Sequence, residues 1–348
     1  MNTLLSLSTY RFDSSFLRLF QKLGEYRGEL VFLLQQPAQM MNALKQSAWL
    51  ESVEYSNRLD GVDCSRRVIA RLVSKEFRPL SPEERQVAGY SDALDLVLAP
   101  AEHLSVSNGL ICQLHALLYG HVCHEGGRWR PTNKEIIERD SSGKIIGILY
   151  RTVSPSQIDS AMAQTGQLLR QYGELGVDPV LLIAAVTLDL LCIHPFSDGN
   201  GRISRLLTVM LLALNGDPVG QYVSLDRMIF QRQQDYILAL KKSAKGWHTN
   251  QHDPLPWIAF FLELLIDAHQ SLKDRIMSLR QQGGKAPKTR LVHAVINEMA
   301  GVFSVSDISL QLPSVSREMI KKVIQDLREQ GALQRRGKGR GSCWEKCE

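Results

Sequence analysis

The chain reads as mainly α: a helical bundle interrupted by one β-hairpin and followed by a small C-terminal α+β module. Three observations predict this. Apolar residues recur at helical spacing through most of the 348 positions. Turn and cap signals cut those runs into helices of ordinary length, at Pro37, Asp60-Gly61, Ser81-Pro82, Asp178-Pro179 and Asn215-Gly216. The period changes to that of strands in only two places, near residues 135–149 and 332–345.

Taken in order, residues 1–79 form a helical N-terminal region, with runs from about Phe16 to Val73 broken near Pro37 and at Asp60-Gly61. Residues 80–280 form the principal domain. Ser81 caps a helix whose first turn holds Pro82, Glu83 and Glu84, acids that the helix dipole favours. A helix follows at Asn108 to Tyr119. Glu135 to Leu149 then carries Ile136-Ile137 and Ile145-Ile146 on either side of Asp140-Ser141-Ser142-Gly143, the mark of a hairpin. Pro155 opens a helix to about Tyr172, and Asp178-Pro179 opens an apolar one ending at His194, where Pro195 disfavours continued helical backbone. Further helices are expected from about Gly201 to Leu214, Asp226 to Lys241 and Pro256 to Arg280. The Gly- and Lys-containing stretch from Gln281 to Pro287 reads as a linker, and residues 288–348 as three helices and a hairpin, a winged-helix pattern.

Composition narrows the class. With 44% hydrophobic and 22% charged residues the chain is neither disordered nor fibrous. Its 41 basic and 36 acidic residues leave a net charge of only +5, too mild to argue nucleic-acid binding over the whole surface. Six cysteines, Cys64, Cys112, Cys123, Cys192, Cys343 and Cys347, include no CxxC pair, which fits reduced thiols rather than disulfides or a zinc site. No signal peptide is seen, and the most apolar stretch, Val180 to Ile193, falls short of the roughly 20 residues that cross a bilayer. A cytoplasmic protein with no membrane partner is the expectation.

The chemistry concentrates between His194 and Arg205, in the loop joining two apolar helices: His-Pro-Phe-Ser-Asp-Gly-Asn-Gly-Arg-Ile-Ser-Arg. Gly199, Asn200 and Gly201 open the second helix, where glycines allow close approach and unpaired amides attract an anion. Arg202 and Arg205, three apart, share a face and reach further phosphate oxygens. Asp198 supplies a hard oxygen ligand beside them, suited to Mg2+ shared with phosphates. His194 offers an imidazole able to take a proton at neutral pH. The competing motifs fail. Arg202 and Val209 occupy ligand positions of a calcium loop, no GxxxxGK[ST] exists, and Gly199-x-Gly201 lacks the third glycine of a dinucleotide fingerprint. Spacing thus reaches a metal-assisted reaction at a polyphosphate.

His194 through Arg205 matches the HPFxDGNGRxxR signature of the Fic family, and the resemblance extends more loosely over residues 80–268. It implies a Fic-type helical bundle in which the hairpin is a target-docking flap. It implies transfer of AMP from ATP to a Ser, Thr or Tyr hydroxyl of a target protein, with His194 as general base, Asp198 as magnesium ligand, and Gly199, Asn200, Gly201, Arg202 and Arg205 on the nucleotide phosphates. Tyr236 and Trp247 are candidates for the adenine pocket, each weighed against a packing role. Family members also use oligomeric state to regulate activity, so a homodimer is among the expectations. Two alternatives stay open: transfer of a different nucleotide or phosphate group, since a phosphate site does not read the base, and a DNA-binding regulator that senses nucleotide without turnover.

Many Fic proteins carry an inhibitory [ST]xxxE[GN] motif whose glutamate pairs with the second arginine. Ser56-Asn57-Arg58-Leu59-Asp60-Gly61 is similar to it but has Asp60 in place of glutamate. One methylene shorter, Asp60 is expected to reach Arg205 only under strain, through water, or not at all. Asp60-Gly61 is equally a simple helix end. His115, on an apolar helix, reads as a packing residue. In the C-terminal module Arg317, Lys321, Lys322, Arg335, Arg336, Lys338 and Arg340 offer a basic surface for DNA or for protein contacts, with Glu318, Asp326 and Glu329 diluting it.

Overall fold

A computed structural model describes residues 3–99, 106–122, 126–139, 145–281, 287–299, 301–312, 315–336 and 343–347. The helices are Thr3–Ser6 (α1), Ser14–Leu33 (α2), Ala38–Leu59 (α3), Arg66–Val73 (α4), Pro82–Leu98 (α5), Asn108–Tyr119 (α6), Pro155–Glu174 (α7), Pro179–Ile193 (α8), Asn200–Leu214 (α9), Val219–Tyr222 (α10), Leu225–Gln231 (α11), Gln233–Ala244 (α12), Leu255–Gln281 (α13), Pro287–Glu298 (α14), Val305–Gln311 (α15) and Arg317–Glu329 (α16). Strands Glu135–Arg139 (β1) and Ile145–Arg151 (β2) form one antiparallel hairpin, and Leu333–Arg336 (β3) and Cys343–Lys346 (β4) another. The molecule is mainly α, as the hydrophobic period predicts.

Local chemistry explains the starts. Ser81 and Glu84 form a reciprocal capping box at α5, and Asp13, Ser107, Asp178 and Ser224 accept from first-turn amides of α2, α6, α8 and α11. The apolar α8 is buried along nearly its whole length and packs on α9, with α5, α6, α7 and α13 around the pair. α3 lies across this core against α5, α10 and α11, and α14 and α15 of the C-terminal module pack on it as well.

One expected helix divides. Residues 226–241 form α11 and α12 with a corner at Arg232 (φ −114°, ψ 32°), whose guanidinium binds Glu263 at 2.7 Å and Asp267 at 3.0 Å on α13. That anchorage holds the corner against α13. In the first hairpin Glu135 faces Arg151 and Ile136 faces Tyr150, with register shifts after Ile136 and after Glu138. Its expected turn, Asp140 to Gly143, lies outside the described residues, as do the linker from Gln282 to Ala286, Cys123, and Lys338 and Arg340 of the second hairpin. Cys64, Cys112, Cys192 and Cys347 are free thiols. Among the described residues no helix is long and apolar enough to cross a membrane.

Candidate active site

The loop between α8 and α9 is held open by its own side chains. His194 terminates α8 in the left-handed region (φ 54°, ψ 61°), a conformation that costs a β-carbon-bearing residue roughly 1 kcal/mol and needs outside support. Arg130, almost fully buried, supplies it: its Nε donates to the His194 carbonyl at 2.8 Å, its backbone N–H donates to the Pro195 carbonyl, and its remaining nitrogens reach the carbonyls of Thr132 and Val153 at the base of the hairpin. Asn200 closes the loop from the other side. Its Oδ1 accepts from the Phe196 N–H at 2.9 Å and its Nδ2 donates to the Phe196 carbonyl at 2.8 Å. The Asn200 side chain is therefore occupied by the loop itself, which leaves the main chain at this position to serve the anion site expected of the loop.

Gly199 then enters α9 at φ 76° with no capping side chain, so the first-turn amides of α9 remain available to an anion. A β-carbon at Gly199 would lie 3.0 Å from the Leu118 and Tyr119 side chains, and one at Gly201 would lie 3.0 Å from Arg205 Nη1 and 3.5 Å from Asp60 Oδ1. At Gly199 the backbone conformation favours glycine, and at both positions a β-carbon would press on neighbouring side chains by a few tenths of an ångström.

The carboxylate of Asp60 sits beside this helix start. Its Oδ1 accepts from Arg205 Nη2 at 3.0 Å and its Oδ2 lies 2.9 Å from Arg202 Nε. The expectation of a strained, water-bridged or absent pair is corrected: the contact is direct and reaches both arginines. Two features compensate for the lost methylene. Asp60 is the C-cap of α3, where the chain turns toward Gly201, and Arg205 is held toward it by others. Arg205 Nε donates to Ser56 Oγ at 2.9 Å and lies 3.1 Å from Asp226 Oδ1, while Nη2 also donates to the Ser56 carbonyl at 2.9 Å. Burial works against the Arg205 cation, but Asp60 and Asp226 outweigh it and push its pKa up. Ser56 and Asp60 thus act as a pair on one guanidinium.

Arg202 is 1% exposed and equally engaged, donating to Gln86 Oε1 and to the Tyr119 hydroxyl, both at 3.1 Å. That hydroxyl in turn donates to Asp198 Oδ2 at 2.6 Å. Burial raises the Asp198 pKa, but the Tyr119 hydroxyl, the Gly199 N–H, Arg202 and Lys134 prevail, so its carboxyl stays below the usual range and ionised. Among the described residues no group of three or more His, Cys, Asp or Glu could hold a metal alone. One exposed, ionised carboxylate beside an anion site nevertheless fits magnesium, which takes its other ligands from phosphates and water.

His194 is pushed down to about 4, first by burial and then by the charges of Lys134 and Arg130, so the imidazole is neutral throughout the physiological range. Its Nδ1 is buried with no hydrogen-bond partner among the described residues. A neutral histidine, an ionised carboxylate, uncapped amides and two clustered guanidinium groups can together bind a phosphorylated ligand and accept a proton beside it.

Tyr236 joins the site. It lines a narrow apolar cavity with Arg205, Ser204, Trp257 and Phe260, packing edge-on against Trp257 at 5.4 Å and Phe260 at 5.8 Å. Trp247 does not join: its ring is buried and its Nε1 donates to Asp189 at 2.7 Å, a packing role. The site also includes His115, which packs as the sequence predicts, and four residues that sequence reasoning passed over. His115 accepts from the Gly127 N–H at Nδ1, reaches the Asp198 carbonyl through Nε2 at 3.2 Å, and stacks on Phe196 with ring centres 3.8 Å apart. Tyr119, Gln86, Lys134 and Asp226 complete the set. His115 and Tyr119 stand four apart on α6, a spacing that places them on one face but carries no motif.

A helical domain with its candidate site in the loop between two buried helices, and a hairpin alongside, has neither the P-loop nor the dinucleotide-binding arrangement. The sequence model of the Fic/DOC family matches residues 105–212, the stretch that contains α6, the first hairpin, α8 and the loop into α9. It is 25% identical to protein adenylyltransferase Fic of Nematostella vectensis over 264 residues, covering 72% of this chain and 55% of that protein. It is 29% identical to protein adenylyltransferase fic-1 of Caenorhabditis elegans over 140 residues, covering 39% and 25%. The chain thus spans about half or less of the length of these curated relatives. In fold it resembles a Fic family protein from Desulfovibrio desulfuricans G20 (TM-score 0.62, 19% identity, 97% of each chain) and Fic-1 of C. elegans (TM-score 0.60, 22% identity, 75% and 72%).

Proposed function

We propose that the chain transfers AMP from ATP to a hydroxyl side chain of a target protein and that Asp60 restrains it. One observation carries the reading: the Asp60 carboxylate occupies the Arg202–Arg205 clamp at the start of α9, beside a histidine held neutral. A carboxylate there stands where a distal phosphate of ATP would bind, so both anions compete for the same guanidinium groups.

In the transfer, the uncapped amides of α9 hold the phosphate chain, and Arg202 and Arg205 hold its distal end once Asp60 withdraws. The target hydroxyl oxygen attacks the α-phosphorus, its proton passes to the neutral His194 imidazole, the bond from the α-phosphorus to the β-bridging oxygen breaks, and pyrophosphate leaves. Magnesium, held by Asp198 and phosphate oxygens, would supply charge neutralisation during this step. Tyr119 keeps the Asp198 carboxylate turned toward the loop, and Arg130 keeps His194 in its left-handed turn. The named activity of the two adenylyltransferase relatives supports the reading.

Incubating the Asp60→Ala chain with magnesium and either α-labelled or γ-labelled ATP tests it. Covalent label from the α position alone is expected. Label from the γ position means phosphate transfer, and label from neither, across ATP, GTP, CTP and UTP, means a nucleotide sensor.

A further inference from the structure

We propose that the C-terminal module is a winged helix that binds duplex DNA through the outer face of α16. Residues 287–348 hold eleven lysines and arginines against seven acids, so most of the chain's net charge of +5 lies in this module. In sequence the acids dilute the basic residues of α16. The helix separates all of them but Lys322, which lies among the acids. At 100° per residue Arg317, Lys321 and Arg328 fall within about 40° of one another, while Glu318, Asp326 and Glu329 lie on the adjoining side. Ile320, Val323 and Ile324 face inward and are buried.

The basic stripe is free to meet a partner. Arg317, Lys321 and Arg328 are exposed, and α16 packs on α14, α15 and β3 of its own module, whereas α14 and α15 are the helices that dock on α3 of the principal domain. Arg317 Nη2 donates to Ser306 Oγ at 2.7 Å, tying the start of the stripe to α15. Arg335 stands exposed on β3, next to the turn, and Arg336 is paired with Glu345 at 2.8 Å. Phe303 bridges Trp344, adding a third extended segment to the hairpin. Two helices, the second presenting one line of cations, followed by a basic hairpin, is the arrangement in which a recognition helix enters the major groove and the wing meets phosphates.

A line of cations with no acid within it complements a phosphate backbone better than a folded protein surface, where charges alternate. Contact with three to five phosphates predicts that log affinity falls with log salt at a slope of roughly −2.7 to −4.5.

The test is fluorescence anisotropy of a labelled random-sequence duplex against the full chain over a salt series, with poly-glutamate as an acidic-protein competitor. Binding with that slope is expected, with at least a tenfold loss and a slope smaller by about two in Lys321→Glu/Arg328→Glu at unchanged melting temperature. No binding at low salt overturns the proposal. So does binding indifferent to the double substitution, or displacement by poly-glutamate at concentrations comparable to unlabelled DNA. A charge reversal that lowers the melting temperature is replaced by Lys321→Gln/Arg328→Gln, for which a partial loss of affinity and slope is required.

Discussion

Replacing Asp60 by alanine removes a carboxylate that touches two guanidinium groups, at 2.9 Å to Arg202 and 3.0 Å to Arg205. Hydrogen bonds to charged groups contribute about 1.5–3 kcal/mol each, and Asp60 is one-fifth exposed, so solvent screening pulls the pair toward a total of roughly 2–4 kcal/mol. Because 1.4 kcal/mol is tenfold in an equilibrium constant, a ligand competing for the clamp should bind about 30- to 700-fold more readily once Asp60 is gone. The clamp itself should survive. Arg205 keeps Ser56 and Asp226, and Arg202 keeps Gln86 and the Tyr119 hydroxyl. Alanine suits the backbone as well, since residue 60 has a negative φ. The assay is the initial rate of self-modification by labelled ATP at subsaturating nucleotide, with ATP affinity measured in parallel by calorimetry. Affinity and rate rising together within that range is the expected result. A variant that folds normally yet binds ATP within threefold of the parent would refute the competition.

Other consequences follow from single contacts. With His194 held down to about 4, the base stays neutral as pH falls from 8 to about 5, so the rate of transfer should be flat over that interval; a loss of rate centred near pH 6.5 would show an ordinary solvated imidazole. Tyr119→Phe removes the hydroxyl between Asp198 and Arg202 and should raise the KM for ATP several-fold with a smaller change in kcat, whereas equal losses in both would place the tyrosine elsewhere in the mechanism. Asn200→Ala deletes both bonds to the Phe196 backbone and should destabilise the fold by about 2–3 kcal/mol in denaturant unfolding; a change under about 0.5 kcal/mol would mean the loop needs no staple. Gly199→Ala forces a β-carbon against Leu118 and Tyr119 at φ 76° and should cost at least about 1 kcal/mol, readable as a lower melting temperature.

How far the sequence could be read depended on the range of the interaction. Ser81 and Asp178 act on their own first turns, and Gly199 and Gly201 act through the backbone, so these helix starts and the anion loop were legible from spacing. Arg232 shows where local reading stops: its corner depends on Glu263 and Asp267, some thirty residues away, and no periodicity within 226–241 records them. The same limit hid the partners of Arg130, His115 and Tyr119, which lie between about 60 and 85 residues along the chain. Asp60 failed in the opposite sense. Side-chain length alone argued that it fell short, but the helix end that carries it and the Ser56–Asp226 grip on Arg205 set the distance.

The central claim, AMP transfer through His194 restrained by Asp60, is tested most directly by intact-mass spectrometry of Asp60→Ala and Asp60→Ala/His194→Ala after incubation with ATP and magnesium. A mass increase of one AMP in the first, absent from the second although both bind ATP, is the predicted result. An equal increase in both, or an increase of one phosphate, would contradict it.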